Sequence, residues 1–375
     1  MWARLGAMLR KEFNQLLHDF WILFILVYAF TGAIYVAGHA ISMEIKNYPI
    51  AVLDLSQSRE SRDLVALLQP PYFKIVTYAR SDAALVKLLD GGKASLGLVI
   101  PPDFARQIQE NRGKCQVISD GTLSMSATIA MAHVAQIAAD YGIKMLEQQG
   151  QLTRTMLAQI PQVDARIRVA YNPNITSSWF TSLLELMNII TMISMLLSAS
   201  AMVREKVYGT IEQLQVSPLR PAELFAAKII PTTVVILLLS VLSLFGVIKG
   251  IFNVPLLGNL FLFFSVTAIY ILAIASLGMA IAVIAKNIAQ VAMMLLMIMY
   301  PMLFLSGAFT PPESMATWMS WASLLSPMRY YMDFGFQVLY KGNGFADVWY
   351  DIVGIVVIGS LLFTFSVWRF GRSMR

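Results

Sequence analysis

The chain has 375 residues, of which 57% are hydrophobic and only 13% charged, with a formal net charge of +6. Soluble domains carry roughly 25% charged residues, so this deficit, gathered into long apolar runs, excludes an ordinary soluble enzyme and specifies an integral membrane protein. The basic excess lies beside the apolar runs, where Lys and Arg set orientation, rather than on a nucleic-acid-binding face; the single cysteine, Cys115, excludes an intramolecular disulfide.

Residues 2–19 place Leu5, Met8, Leu9, Phe13, Leu16 and Leu17 at helical spacing, with Arg4, Arg10, Lys11 and Glu12 largely elsewhere. That pattern predicts an amphipathic helix lying on the membrane surface. The first span follows over 20–40, too long for the apolar core of a secretion signal, and reads as an uncleaved anchor.

Residues 41–175 change character. Strand-like runs at Tyr48–Leu55, Tyr72–Tyr78, Ser95–Ile100 and Cys115–Ser119 alternate with helical patterns at Ser58–Leu68, Asp82–Leu89 and Pro102–Asn111. A helical stretch over Leu123–Gln149 follows them. The alternation predicts an α/β domain with a small sheet. Asp54 and Asp120 end strands, a place where open α/β sheets bind ligands, although an Asp there more commonly caps a helix or makes a turn. Gly91-Gly92-Lys93 lacks the spacing of a phosphate loop. His18, His39 and His133 show no metal-ligand spacing.

Residues 176–375 predict a five-helix membrane region. The second span, Trp179–Val203, carries Thr181, Glu185, Asn188 and Thr191 on one helical face. A carboxyl inside a span points to function, so this face is a candidate transport pathway, with helix packing as the alternative. The third span is Ile229–Val247, the fourth Leu256–Ala285, with Gly278 and Ala282 as small packing residues, and the fifth the Met-rich Ile288–Phe309 around Pro301. Residues 310–348 are too polar and broken to cross fully and predict short helices entering the outer leaflet, ahead of a last span over Trp349–Trp368.

Between the second and third spans lies a charged island, 204–228, read as a helix over Glu205–Val216, a break at Ser217-Pro218 and a restart near Pro221 with Glu223 in its first turn. Basic residues fix the orientation. Placing the N-terminus inside puts Arg4, Arg10, Lys11, Arg204, Lys206, Arg220, Lys228, Lys286, Arg369, Arg372 and Arg375 on the inner side. The short outer segments then hold only Lys249, Arg329 and Lys341. The expectation is six spans, both termini cytoplasmic, the 41–175 domain outside and the charged island inside.

The island reads Arg204-Glu205, Gly209-Thr210, Glu212, Pro218, Glu223 and Lys228 directly after the second span. This resembles the coupling-helix segment of ABC-2 type transporter permeases. A second likeness covers Leu305-Ser306-Gly307, Pro311-Pro312-Glu313 and Ser326-Pro327-Met328-Arg329-Tyr330, similar to the family's re-entrant helices before the last span. The early domain, with YPIAVLDLSQS and GLVIPPDF, and Tyr171-Asn172-Pro173-Asn174 resemble the bacterial inner-membrane exporter branch with a large periplasmic domain. Glu185 is not part of that pattern.

The resemblance implies a six-helix ABC-2 (type V ABC exporter-like) permease that exports an amphiphilic, drug-like small molecule across the inner membrane. Lipid or glycan export, or a non-transporting anchor or receptor, are the alternatives. It implies ATPase-coupling roles for Arg204, Glu205, Gly209, Thr210, Glu212, Pro218, Glu223 and Lys228, and re-entrant roles for Gly307, Pro311, Pro312, Pro327, Arg329 and Tyr330. No Walker A sequence is present, so no catalytic residue, metal or cofactor is expected in this chain. ATP and Mg would sit in a separate cytoplasmic ATPase. A second permease copy or paralogue and a periplasmic adaptor are the other expected partners.

Overall fold

The computed structural model describes residues 2–40, 46–110, 112–119, 124–148, 171–172, 176–207, 209, 221–310 and 312–373. The chain divides into two units, one comprising Met1–Ile41 with Val169–Arg375, the other Ser42–Arg168.

In the inserted unit, β1 (Tyr48–Asp54), β2 (Phe73–Tyr78), β3 (Leu96–Ile100) and β4 (Gln116–Ser119) alternate with α3 (Arg59–Ala66), α4 (Asp82–Asp90) and α5 (Phe104–Gln109), before the long α6 (Ser124–Gln148). The sheet order is β2-β1-β3-β4. β1 runs parallel to both neighbours and β4 antiparallel to β3. The central strand β3 is buried along its whole length, as a strand covered on both faces must be. Ile50, Val52, Leu96 and Leu98 pack on one side with Leu64, Phe104 and Val134; Ala51, Leu53 and Val99 pack on the other with Leu85 and Leu89. Ser58 and Ser81 cap α3 and α4 by accepting from Ser61 N and Ala84 N. Asp54 accepts from Ser56 N, Gln57 N and the Ser61 hydroxyl. All the bonds recorded for its carboxylate are therefore spent on the turn and cap. Asp120 lies outside the described residues.

In the other unit, α1 (Trp2–His18) leads to α2 (Phe20–Ala40), whose N-cap is Asp19. Then come α7 (Ser177–Val207), α8 (Pro221–Leu242, continued to Lys249 by a π-helical turn), α9 (Leu260–Ile284), α10 (Ile288–Phe304), α11 (Thr317–Ser323), α12 (Pro327–Leu339) and α13 (Phe345–Ser373). Among the described residues, five helices are long and apolar enough to cross a membrane. The Met-rich α10, expected over Ile288–Phe309, stops at Phe304 after 17 residues. At 1.5 Å per residue it spans about 26 Å, just under the bilayer's apolar thickness. Some spans extend past their apolar runs because helix geometry continues into polar ends: α8 begins eight residues before the expected start at Ile229, and α13 four before Trp349; α9, expected over Leu256–Ala285, begins only at Leu260, behind its N-cap Asn259.

α9 is central, packed on α7 and α13. Small residues set that approach. A β-carbon on Gly278 would collide with the Met195 carbonyl oxygen of α7, and one on Gly359 of α13 with the Ala273 side chain. Ser366 of α13 donates to the Ser276 carbonyl at 2.8 Å, a second tie between α9 and α13. Gly278→Val should therefore destabilise the bundle by about 1–3 kcal/mol through overpacking. Gly6→Ala, at an exposed position with nothing near, should be neutral or slightly stabilising. Thermal unfolding of the two variants in detergent measures the contrast.

Candidate functional site

The charged groups of the island are not all turned to solvent. Lys228 lies on the inward stripe of α8 with Leu224 and Thr232, all three buried. Its ammonium donates to Glu12 Oε1 at 2.8 Å, Glu205 Oε1 at 3.1 Å and the Ala201 carbonyl at 3.3 Å. An ammonium has three N–H donors, and three acceptors surround it. Its side chain is 1% exposed, against 6% for Glu12 and 8% for Glu205. Lys11, more than half exposed, approaches Glu205 Oε1 at 3.2 Å. Among the described residues, two cations thus meet two carboxylates, and pairing of opposite charges is the condition under which buried charge is tolerable.

The cluster joins three elements. Glu12 comes from α1, Glu205 from the last turns of α7, and Lys228 from the second turn of α8. Its chemistry is that of a clamp, since it offers no nucleophile and no titratable acid poised over a cavity. Glu12 was missed by sequence reasoning, which set it apart from the apolar face. The signal was present: Met8, Glu12 and Leu16 are spaced by four, and all three are buried.

The remaining island residues separate. Gly209 is exposed with φ +69°, a left-handed conformation that suits glycine past a helix end. The expected helix over Glu205–Val216 is therefore not continuous: Glu205 lies in the last turn of α7, the chain leaves the helix at Gly209, and residues 210–216 lie outside the described residues. Glu223 stands in the first turn of α8, as expected. Arg204, one residue and about 100° from Glu205 around the helix, faces away from the clamp. It is part of an apolar cleft between α2, α7 and α10. Thr210, Glu212 and Pro218 lie outside the described residues.

On α7 the candidate pathway face divides. Thr181 and Thr191 are buried, and each hydroxyl donates to the carbonyl four residues back. Thr191 also bonds the Tyr270 hydroxyl at 2.8 Å. Tyr270 stacks on Tyr331 at 3.8 Å between ring centres, and Tyr331 bonds Thr267. These two residues therefore sit in helix packing. Glu185 and Asn188 are only half-buried, joined by an Asn188 Nδ2–Glu185 Oε2 bond of 3.4 Å. With Met192, Leu196 and Ser200 they form an open stripe on a helix that is otherwise buried from Thr181 to Ala199. Thr191 lies about 100° from Met192, which turns it toward α9.

Before the last span, Gly307 turns at φ +83° with Pro312 beside it, and Pro327 opens α12. Arg329 donates to the Ser320 carbonyl and the Ser323 hydroxyl, and Tyr330 to the Leu324 carbonyl at 3.1 Å. Both tie the α11 region onto α12. Pro311 is outside the described residues. Asp351, a buried acid in α13 that sequence reasoning passed over, accepts from Gln337. Among the described residues, no group of His, Cys, Asp and Glu could hold a metal.

In the inserted unit, a cavity of about 190 Å³ lies among Leu64, Phe104, Ile108, Cys115 and Tyr141. Burial pushes the Cys115 thiol up, and burial together with the Asp63 and Glu60 carboxylates pushes the Tyr141 phenol up to about 12. The phenol donates to the Glu60 carbonyl at 2.9 Å.

The sequence model of the family described as "ABC-2 family transporter protein" matches residues 19–368. The chain is 30% identical to the inner membrane transport permease YhhJ of Escherichia coli K12 over 368 residues, covering 97% of this chain and 96% of that one. It is 27% identical to the probable multidrug ABC transporter permease YbhR of the same organism over 360 residues, 96% and 95% of the two chains. To the probable multidrug ABC transporter permease YbhS it is 25% identical over 353 residues, 91% and 90%.

Removing the central cation leaves two carboxylates buried without their common partner. Lys228→Ala should cost roughly 3–5 kcal/mol, whereas Lys11→Ala, at the exposed edge, should cost less than about 1 kcal/mol. Thermal unfolding of the full chain in detergent compares them.

Proposed function

This chain belongs to the ABC-2 family of transporter proteins, and from that premise we propose that it moves an amphiphilic, drug-like small molecule outward across a bacterial inner membrane. It is a multi-pass membrane permease subunit and not an ATPase; permeases of this family work with cytoplasmic ATPase subunits. In the proposed arrangement a separate ATPase docks on the 204–228 segment, both termini are cytoplasmic, and α10 serves as a sixth span. The inserted α/β unit faces the periplasm, where an adaptor protein is its expected partner.

One observation carries the reading. The Lys228 clamp ties both ends of the 204–228 segment, Glu205 and Lys228, to the surface helix α1. A push on that segment is then delivered to α7 and α8 together, as rigid-body gating requires. A loop hinged loosely at either end would absorb the same push. The ATPase must prefer one permease state over the other for this to drive transport.

The open stripe Glu185–Ser200 of α7 supports a pathway on that face. α10 alongside exposes Met293, Leu296, Met297 and Tyr300. We assign these surfaces to a permease dimer, in which a second copy or a related permease lines the path opposite. Flexible, polarisable methionines suit cargo of varied apolar shape. Within this pathway Glu185 and Asn188, rather than Thr181 and Thr191, would meet cargo.

The test is the permease purified with its ATPase and reconstituted in liposomes. Substrate should stimulate ATP hydrolysis, and Glu212→Lys should cut that stimulation at least tenfold while membrane insertion stays intact. Normal stimulation in Glu212→Lys would remove the docking role from the 204–228 segment.

A further inference from the structure

The cleft between α2, α7 and α10 holds about 380 Å³, and its walls include Ile22, Ile25, Leu196, Ser200 and Leu295. Arg204 is the one charged residue among the described residues that line it. The guanidinium Nε is buried and has no hydrogen-bond partner. The neighbouring carboxylate, Glu205, points to the clamp, where Lys228 and Lys11 engage it. Arg204 as a whole is part-buried, so it is the Nε edge that lacks an acceptor, and an incoming anion supplies one.

The volume limits what that anion is attached to. A cavity of roughly 150 Å³ holds one benzene, so about 380 Å³ accommodates roughly 15 carbons. That is the volume of one alkyl chain. The cleft is open on its outer side, where Ile25 and Ile288 are more than half exposed. A chain can therefore slide in sideways from the lipid without crossing a polar barrier.

We propose that this cleft binds a single-chain anionic amphiphile, a fatty-acid-like carboxylate, with its head on Arg204 and its chain along Leu196 and Ile25. The fork of the guanidinium matches a carboxylate through two parallel hydrogen bonds. The cleft adjoins the open stripe at Leu196 and Ser200, so a ligand bound here is one step from the proposed pathway. This deepens the export reading by naming a substrate class, and it rests on that reading only for the fate of the ligand.

The test uses a diazirine analogue of palmitate, photo-crosslinked to the full-length chain in phosphatidylcholine nanodiscs, with labelled peptides mapped by mass spectrometry. Saturable labelling should fall on α2, α7 and α10 and be competed by palmitate but not by 1-hexadecanol. Arg204→Gln should weaken it at least tenfold, and Arg204→Lys, which keeps the charge but not the fork, should weaken it less than Arg204→Gln does. Leu196→Trp should block it with the cation still in place, and size-exclusion chromatography checks that each variant is folded. Labelling unchanged in Arg204→Gln or Leu196→Trp, label on other helices, or equal competition by 1-hexadecanol would overturn the proposal. So would displacement by phosphatidylglycerol as effective as by palmitate, which would make the cleft a bilayer-lipid site. Binding is read without ATPase or nucleotide, so its loss leaves the coupling reading standing, and loss of coupled hydrolysis leaves the binding result standing.

Discussion

A lysine ammonium that is almost fully withdrawn from solvent has to be surrounded by acceptors, because the cost of stranding a charge exceeds that of nearly any rearrangement of the chain around it. Lys228 meets that demand with one carboxylate from the surface helix α1, one from the end of α7 and a carbonyl of α7. None of the three elements can move away alone without exposing an unpaired charge to an apolar surrounding. The cluster therefore fixes how the surface helix lies on the bundle, and where the long helices on either side of the 204–228 segment begin and end. Burial gives it a stiffness that an exposed pair such as Arg59–Asp63 lacks, since water and salt screen charges at a surface.

The rest of the bundle is built differently. Around α9 the contacts are made by small residues and by aromatic stacking, with Gly278 against α7, Gly359 against Ala273, and Tyr270 on Tyr331. In lipid there is little hydrophobic force between helices, so close van der Waals fit and short polar contacts hold them. A core of this kind fixes α7 on its buried side and leaves its other side, from Glu185 to Ser200, open. Rigidity at the clamp end and an open stripe along the same helix are what a lever needs if force at one end is to change the surroundings of cargo along its length.

Much of this was legible in the sequence, for identifiable reasons. The strands of the inserted unit fall within two residues of expectation because Val and Ile runs between turn residues leave few alternatives. The restart at Pro221 follows from the backbone preference of proline in a first helical turn. The helix expected over Glu205–Val216 is interrupted at Gly209, since local propensity says little about a glycine that takes φ +69°, and its part beyond residue 209 lies outside the described residues. Thr191 shared an apparent face with Glu185, but a turn of 3.6 residues carries it round toward α9, onto Tyr270; Thr181 keeps the angular position of Glu185 and is nevertheless buried, its hydroxyl on the Ser177 carbonyl. Glu12 illustrates the deeper limit. A charged residue at a buried spacing looks like noise in an amphipathic pattern until its partner is known, and that partner lies 216 residues away.

The central claim is that α1, the end of α7 and the start of α8 move as one body when the ATPase closes. Spin labels at Gln15→Cys on α1 and Ala222→Cys on α8, both exposed positions, in a Cys115→Ser background, measure it by double electron–electron resonance. The permease–ATPase complex would be compared without nucleotide and after vanadate trapping. An unchanged distance distribution between the two states is the predicted result. A distribution that shifts or broadens on trapping would contradict it, showing that the clamp opens during the cycle and that force reaches the spans by another route.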